Sequence, residues 1–218
     1  MMEGMYQMKR IDTQGITAIE PLEGSGEWYW GTDYTGGDLY EAEELFQDGH
    51  PVKQNRLVLL HYPDGKVVQP VTAGSGQYLG RPVFYEGKII LLRVDFPAGK
   101  IEVLQYDTAG QVSALAAIPL SDVQDCYNIM LKRWPLMLTR QGSEDKFQIL
   151  WPEKAEFAIG ATEAFEFRVE DKLYFSSWHE DPNYREEVIV RDVHTGRIVD
   201  RIPGSTAVMP DGQIWLLG

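Results

Sequence analysis

Along most of the chain, apolar residues fall in short strand-length runs bounded by turn residues, not at the spacing of an amphipathic helix. One unit recurs as a strand, a tight turn and a second strand. It reads Arg56–Val68 around Gly65, Lys100–Val112 around Gly110, Glu187–Val199 around Gly196 and Tyr6–Thr17 around Gly15. A weaker copy, Lys146–Phe157, carries Lys154 where the others carry glycine. These glycines closely follow Asp or Thr, which is hairpin chemistry and predicts positive φ at the glycine. Runs such as Leu57–Leu60, Ile89–Leu92 and Val188–Val190 are apolar without alternation, as in a strand buried on both faces.

A second unit interleaves with the first: a turn rich in Asp, Glu and Gly that leads into an apolar strand. Its copies centre on Leu39, Ile89, Leu173 and Ile214, with a copy at Pro135 that lacks the turn glycine. Turns at 15, 65, 110, 154 and 196, and strands at 39, 89, 135, 173 and 214, both recur every roughly 40–50 residues. Four strands per step make a propeller blade. The reading is therefore all-β: one five-bladed β-propeller domain with four-stranded antiparallel blades. Blades one to four fall near 26–71, 77–119, 125–160 and 163–203. The fifth takes strands A and B from 206–217 and strands C and D from 5–21, so that the first residues close the ring on the last.

One segment reads two ways. Asp38–Gln47 has the marks of a capped helix, with Asp38 as N-cap, Glu41 three residues on and Gly49 as a stop. The repeat register instead makes it strand B of blade one. The register is favoured here, because tertiary context overrides local propensity.

Asp192–Val199 and Asp211–Trp215 resemble generic blade fragments of the β-propeller superfold, and as a repeat this resemblance covers the whole chain. No Trp-Asp pair of the WD-repeat kind occurs, and no characterised family is matched.

Composition narrows the function classes. The formal charge is −13, from 33 acidic and 20 basic residues, and the basic ones form no cluster of the kind that neutralises phosphates. Nucleic acid is not expected as a partner, nor is a membrane, since no apolar run is long enough to span one. Cys126 is the only cysteine, so neither an internal disulfide nor a cysteine-rich metal site can form. The first residues lack the apolar core of a signal peptide, and a cytoplasmic protein is expected. No cofactor and no metal are expected; His50 and His179 lack a spaced third ligand. Neither a nucleophile elbow nor a Gly-rich phosphate loop is present.

Propeller topology places the longer D–A and B–C connections on one face, where function is expected. Acids at the starts of strands A (Glu27, Asp125 and Glu163) would lie near the channel mouth, where a carboxylate pair could perform glycoside hydrolysis. Trp28, Tyr127, Trp178 and His179 are the candidate ligand contacts, with blade packing as the competing role for strand-borne aromatics. The function expected is a non-catalytic binding or interaction module on the loop-rich face, for a protein, peptide or carbohydrate. The alternative is a carbohydrate-active enzyme with acids at the central channel.

Overall fold

The structure, a computed structural model, describes residues 8–34, 38–107, 109–209 and 212–218. The repeat folds into four antiparallel sheets and a two-stranded ribbon, taken in chain order. The first sheet runs β1 (Glu20–Pro21), β2 (Trp28–Thr32), β3 (Asn55–His61) and β4 (Val67–Val68), with β5 (Thr72–Ala73) also on β3. In the second, β6 (Gln77–Leu79) and β7 (Val83–Tyr85) share one edge of β8 (Lys88–Asp95), followed by β9 (Lys100–Tyr106) and β10 (Val112–Pro119). The third is β11 (Ile129–Arg133), β12 (Leu136–Gly142), β13 (Lys146–Trp151) and β14 (Ala155–Ala158). The fourth is β15 (Glu163–Val169), β16 (Lys172–His179), β17 (Arg185–Asp192) and β18 (Ile198–Pro203). The ribbon pairs β19 (Ser205–Val208) with β20 (Ile214–Leu217). The turn glycines take the conformation their position demands: Gly65 and Gly196 have φ of 72° and 67°.

The core lies between consecutive sheets, which explains the unbroken apolar runs. From β8, Ile89 and Leu91 pack toward the first sheet with Leu57, Leu59 and Trp28. Their neighbours Ile90, Leu92 and Val94 point the opposite way, against Ile129, Leu131, Leu138 and Leu150 of the third sheet. Met137, Phe147 and Ile149 then meet Phe165, Leu173, Phe175 and Ile189 of the fourth. Amide side chains clip sheet to sheet. Asn55 accepts the Leu79 N–H at 2.6 Å. Gln141 donates to the Glu163 carbonyl at 2.6 Å and accepts from Phe165 N–H at 3.1 Å.

Two expectations are corrected. Residues Leu39–Gln47 form a helix, α1, and not strand B; that strand is β2. Asp38 caps it in a full capping box with Glu41, and Leu39 and Ala42 are buried against the second and third sheets. Phe46 stacks on Phe96 at 5.4 Å. Local signals and tertiary packing agree here, so nothing opposes the propensity.

The closing ladder between 5–21 and 206–217 is also absent among the described residues. Glu20 and Pro21 pair with Trp30 and Tyr29, and β20 pairs with β19 alone. Residues 8–19 lie along the outer face of the first sheet. Ile16 is buried there, and it sits so close to Gly31 that a Cβ at that glycine would be 2.9 Å from Ile16 Cγ2. Lys9 Nζ donates to the carbonyls of Pro63 and Asp64 at 3.1 and 2.6 Å. The missing side chains of Gly31 and Gly65 leave room that Ile16, Ile19 and Ile11 fill. Residues 5–7 of the expected strand, and the expected turn positions Gly37 and Asp211, lie outside the described residues.

Candidate functional site

Each of the three candidate acids has its own partner. Asp125 is bound at 2.6 Å to Arg140, whose side chain is fully buried and also meets Glu144 at 2.7 Å. That hydrogen bond to Arg140 holds the Glu144 carboxyl below its usual range. Glu163 grips Arg191 with both oxygens, at 2.7 and 2.8 Å, and accepts the Gly160 N–H at 3.0 Å. Glu27 is exposed, 3.7 Å from His61. Two of the three are committed to buried arginines, so their arrangement supports the sheets before anything else.

The aromatic candidates divide. Trp28 is buried in the seam between the first and second sheets, its ring 4.7 Å from that of His61. Tyr127 is partly exposed and meets Tyr40 edge-on at 5.9 Å. Trp178 stands at the end of β16 with 47% of its surface open to solvent. His50 is an exposed residue just beyond α1, while His179 pairs with Glu187 at 2.7 Å. Among the described residues, no three metal-type ligands are grouped.

Trp178 borders a cleft of about 210 Å³ between the fourth sheet and the ribbon. Tyr184 forms its other aromatic edge, 67% exposed. Ser176, Ser177, Ser205 and Thr206 supply hydroxyls, and Glu166, Glu186 and Glu187 supply carboxylates. The Tyr184 hydroxyl donates to Glu186 at 2.6 Å, and Ser176 donates to Glu166 at 2.7 Å. Hydrogen bonds from Tyr184 and then Ser205 hold the Glu186 carboxyl below its ordinary range, so it stays an ionised acceptor. Of these residues the sequence singled out Trp178. Tyr184 was readable as an aromatic inside the blade-four loop, and Glu186 as an acid just after it. Ser205 and Thr206 join the cleft only through the fold.

A second cavity, about 410 Å³, is lined from all four sheets and the ribbon. Glu23 comes from the turn between β1 and β2, Arg81 from the link between β6 and β7, Ile129–Trp134 from β11 and its turn, Glu166 from β15, and Val208 and Met209 from the end of β19. Lys132 faces it with no ion pair among the described residues; its only acceptor is the Phe165 carbonyl at 3.4 Å. Burial pushes the Lys132 ammonium down from its usual range, with Glu166 and Glu23 opposing. The legible signal was a basic pair, Lys132-Arg133, closing an otherwise apolar strand in an acidic chain. No helix among the described residues is long and apolar enough to cross a membrane.

No family model matches the sequence, and comparison with curated proteins finds no match. Among solved structures, the chain is similar to the β-propeller domain of the Trilobed protease from Pyrococcus furiosus, described as having an open velcro topology. That likeness has 11% identity and a TM-score of 0.48, over 89% of this chain and 60% of that one. It is also similar to a Bacteroides uniformis protein provisionally assigned as a 6-phosphogluconolactonase, with 10% identity and a TM-score of 0.42, over 89% and 62%. The chain therefore spans about 60% of the length of these structures.

Proposed function

We propose that the chain is a non-catalytic binding module that takes a carbohydrate in the Trp178 cleft of its loop-rich face. The observation that carries this reading is the pair of exposed rings, Trp178 and Tyr184, flanking a cleft lined by hydroxyls and carboxylates. Flat aromatic faces take the C–H face of a sugar ring, and the serines, Thr206 and Glu186 are placed to bond its hydroxyls. Glu186 is held ionised, which suits a hydrogen-bond acceptor for sugar hydroxyls and does not suit a general acid. The test is a neutral-glycan screen read by thermal shift and then by calorimetry, because a ligand of the folded state raises Tm. A glycan that binds and is returned intact supports the reading. Hydrolysis of the bound glycan would favour the enzyme alternative.

The same reading takes the molecule as a five-bladed ring. The ribbon Ser205–Leu217 has two strands where the other sheets have four or five, and it shares the 410 Å³ cavity with all four of them. The N-terminal segment covers the outer face of the first sheet, the face a fifth blade would meet in a ring.

A further inference from the structure

We propose that the 410 Å³ cavity where the sheets meet is an oxyanion site. Its ligand would be a small hydroxylated molecule bearing a carboxylate or phosphate, held by Lys132 and Arg133. The inference is independent of the Trp178 cleft, although Glu166 lines both.

Three observations support it. First, Lys132 and Arg133 are adjacent, both line the cavity, and neither enters an ion pair among the described residues. Elsewhere arginines inside the fold are neutralised: Arg140 by Asp125 and Glu144, Arg191 by Glu163, Arg93 by Glu102. Lys132 and Arg133 are half-buried and have no carboxylate within ion-pair distance among the described residues, which leaves their N–H groups open to an anion. Second, Arg133 Nε is buried and has no hydrogen-bond partner, while its guanidinium lies on the Trp134 ring at 4.5 Å. A guanidinium held over an aromatic ring keeps its N–H groups available to an oxyanion. Third, the cavity is less acidic than the chain as a whole. Lys132 and Arg133 equal Glu23 and Glu166 in number, whereas the whole chain carries 33 acids against 20 bases. Arg81 is also tied at 2.8 Å to Glu20, so Lys132 and Arg133 are the cations left free for a ligand.

The two carboxylates define the rest of the ligand. Glu23 and Glu166 accept hydrogen bonds but repel a second anion nearby. A molecule with one anionic end and hydroxyl groups beyond it satisfies both sets. An acyclic polyol chain fits this chemistry and presents no flat ring to Trp178.

The experiment is calorimetry at fixed ionic strength on the full chain with erythronate, erythritol 4-phosphate, inorganic phosphate and neutral erythritol. Erythronate, erythritol 4-phosphate or both should bind, and the preferred one identifies a carboxylate or a phosphate source. Erythritol should not bind. Lys132→Met should weaken binding by about tenfold or more, Lys132→Arg should retain most of it, and Trp178→Ala should leave it unchanged. That last result separates this site from the cleft, whichever way the glycan screen turns out. If neither anionic polyol binds at millimolar concentration, or if Lys132→Met binds like the parent, the proposal is overturned. Equal binding of erythritol would also overturn it, as would inorganic phosphate binding as tightly as erythritol 4-phosphate.

Discussion

Glu43 on α1 accepts the backbone N–H of Cys126 through Oε2 at 2.6 Å, across 83 residues of sequence. Both residues are buried. The contact ties the helix between β2 and β3 to the entry of the third sheet, where Asn55 and Gln141 do the same between other sheets. Glu43→Ala leaves a buried N–H without a partner, which costs about 1–3 kcal/mol. Chemical denaturation should show that loss with an unchanged slope. An unaltered midpoint would mean that water or a shifted helix replaces the carboxylate at no cost.

This contact also shows what was legible in the sequence and what was not. The turn glycines and apolar runs placed β3, β4, β8, β9, β13, β16 and β17, because their chemistry is local and repeats. Residues 38–47 carried helix signals as clear as any in the chain, and the repeat register overrode them. The register failed because the first sheet takes β2 from Trp28–Thr32, ahead of the helix. The site was harder. Trp178 stood out as an aromatic in a polar loop and Trp28 as one at a strand start beside the expected channel mouth, yet Trp28 is packing. What separates them is which neighbour covers the ring, a long-range fact with no local trace. The acids Asp125 and Glu163 were visible as acids, whereas their partners Arg140 and Arg191 lie 15 and 28 residues away.

Cys126 is fully buried, and burial followed by the Glu43 charge pushes its thiol well above the ordinary range. The thiolate is the reactive form, so the native protein should resist an aromatic disulfide reagent at neutral pH and react fully once unfolded. Rapid labelling of the folded protein would contradict the packing of α1 against the third sheet.

Lys132 gives a stability signature with a definite sign. Its folded pKa lies below 10.5, so between the folded and unfolded values the unfolded chain binds more protons. Its contribution to stability therefore rises with pH across that alkaline window and is smallest below it. The groups that face it are Glu166, Glu23, Arg81 and Arg133. Lys132→Met should not lower Tm at pH 7, and the gap between variant and parent should narrow as pH rises into the window. A variant clearly less stable than the parent at pH 7 would show that the ammonium is fully compensated.

The N-terminal segment is expected to be part of the fold. Ile16 is almost wholly buried, and one such side chain contributes about 1.5–3 kcal/mol. Deleting residues 1–19 should lower Tm markedly. A Cβ at Gly31 would lie 2.5 Å from the Ala18 carbonyl oxygen, so Gly31→Ala should destabilise the full chain. In the deletion background the same substitution should cost nothing, because the clashing segment has gone. Additive losses would show that the segment does not lie over Gly31.

The central claim is that the Trp178 cleft binds and Trp28 packs. Trp28→Ala removes a buried aromatic and should cost about 3–5 kcal/mol. Trp178→Ala removes an exposed one and should stay within about 0.5 kcal/mol. The most direct test is a calorimetric titration of parent and Trp178→Ala with the glycan found in the screen, with Tm measured on both. Binding abolished at an unchanged Tm is the expected result. Undiminished binding by a stable Trp178→Ala protein would contradict the account.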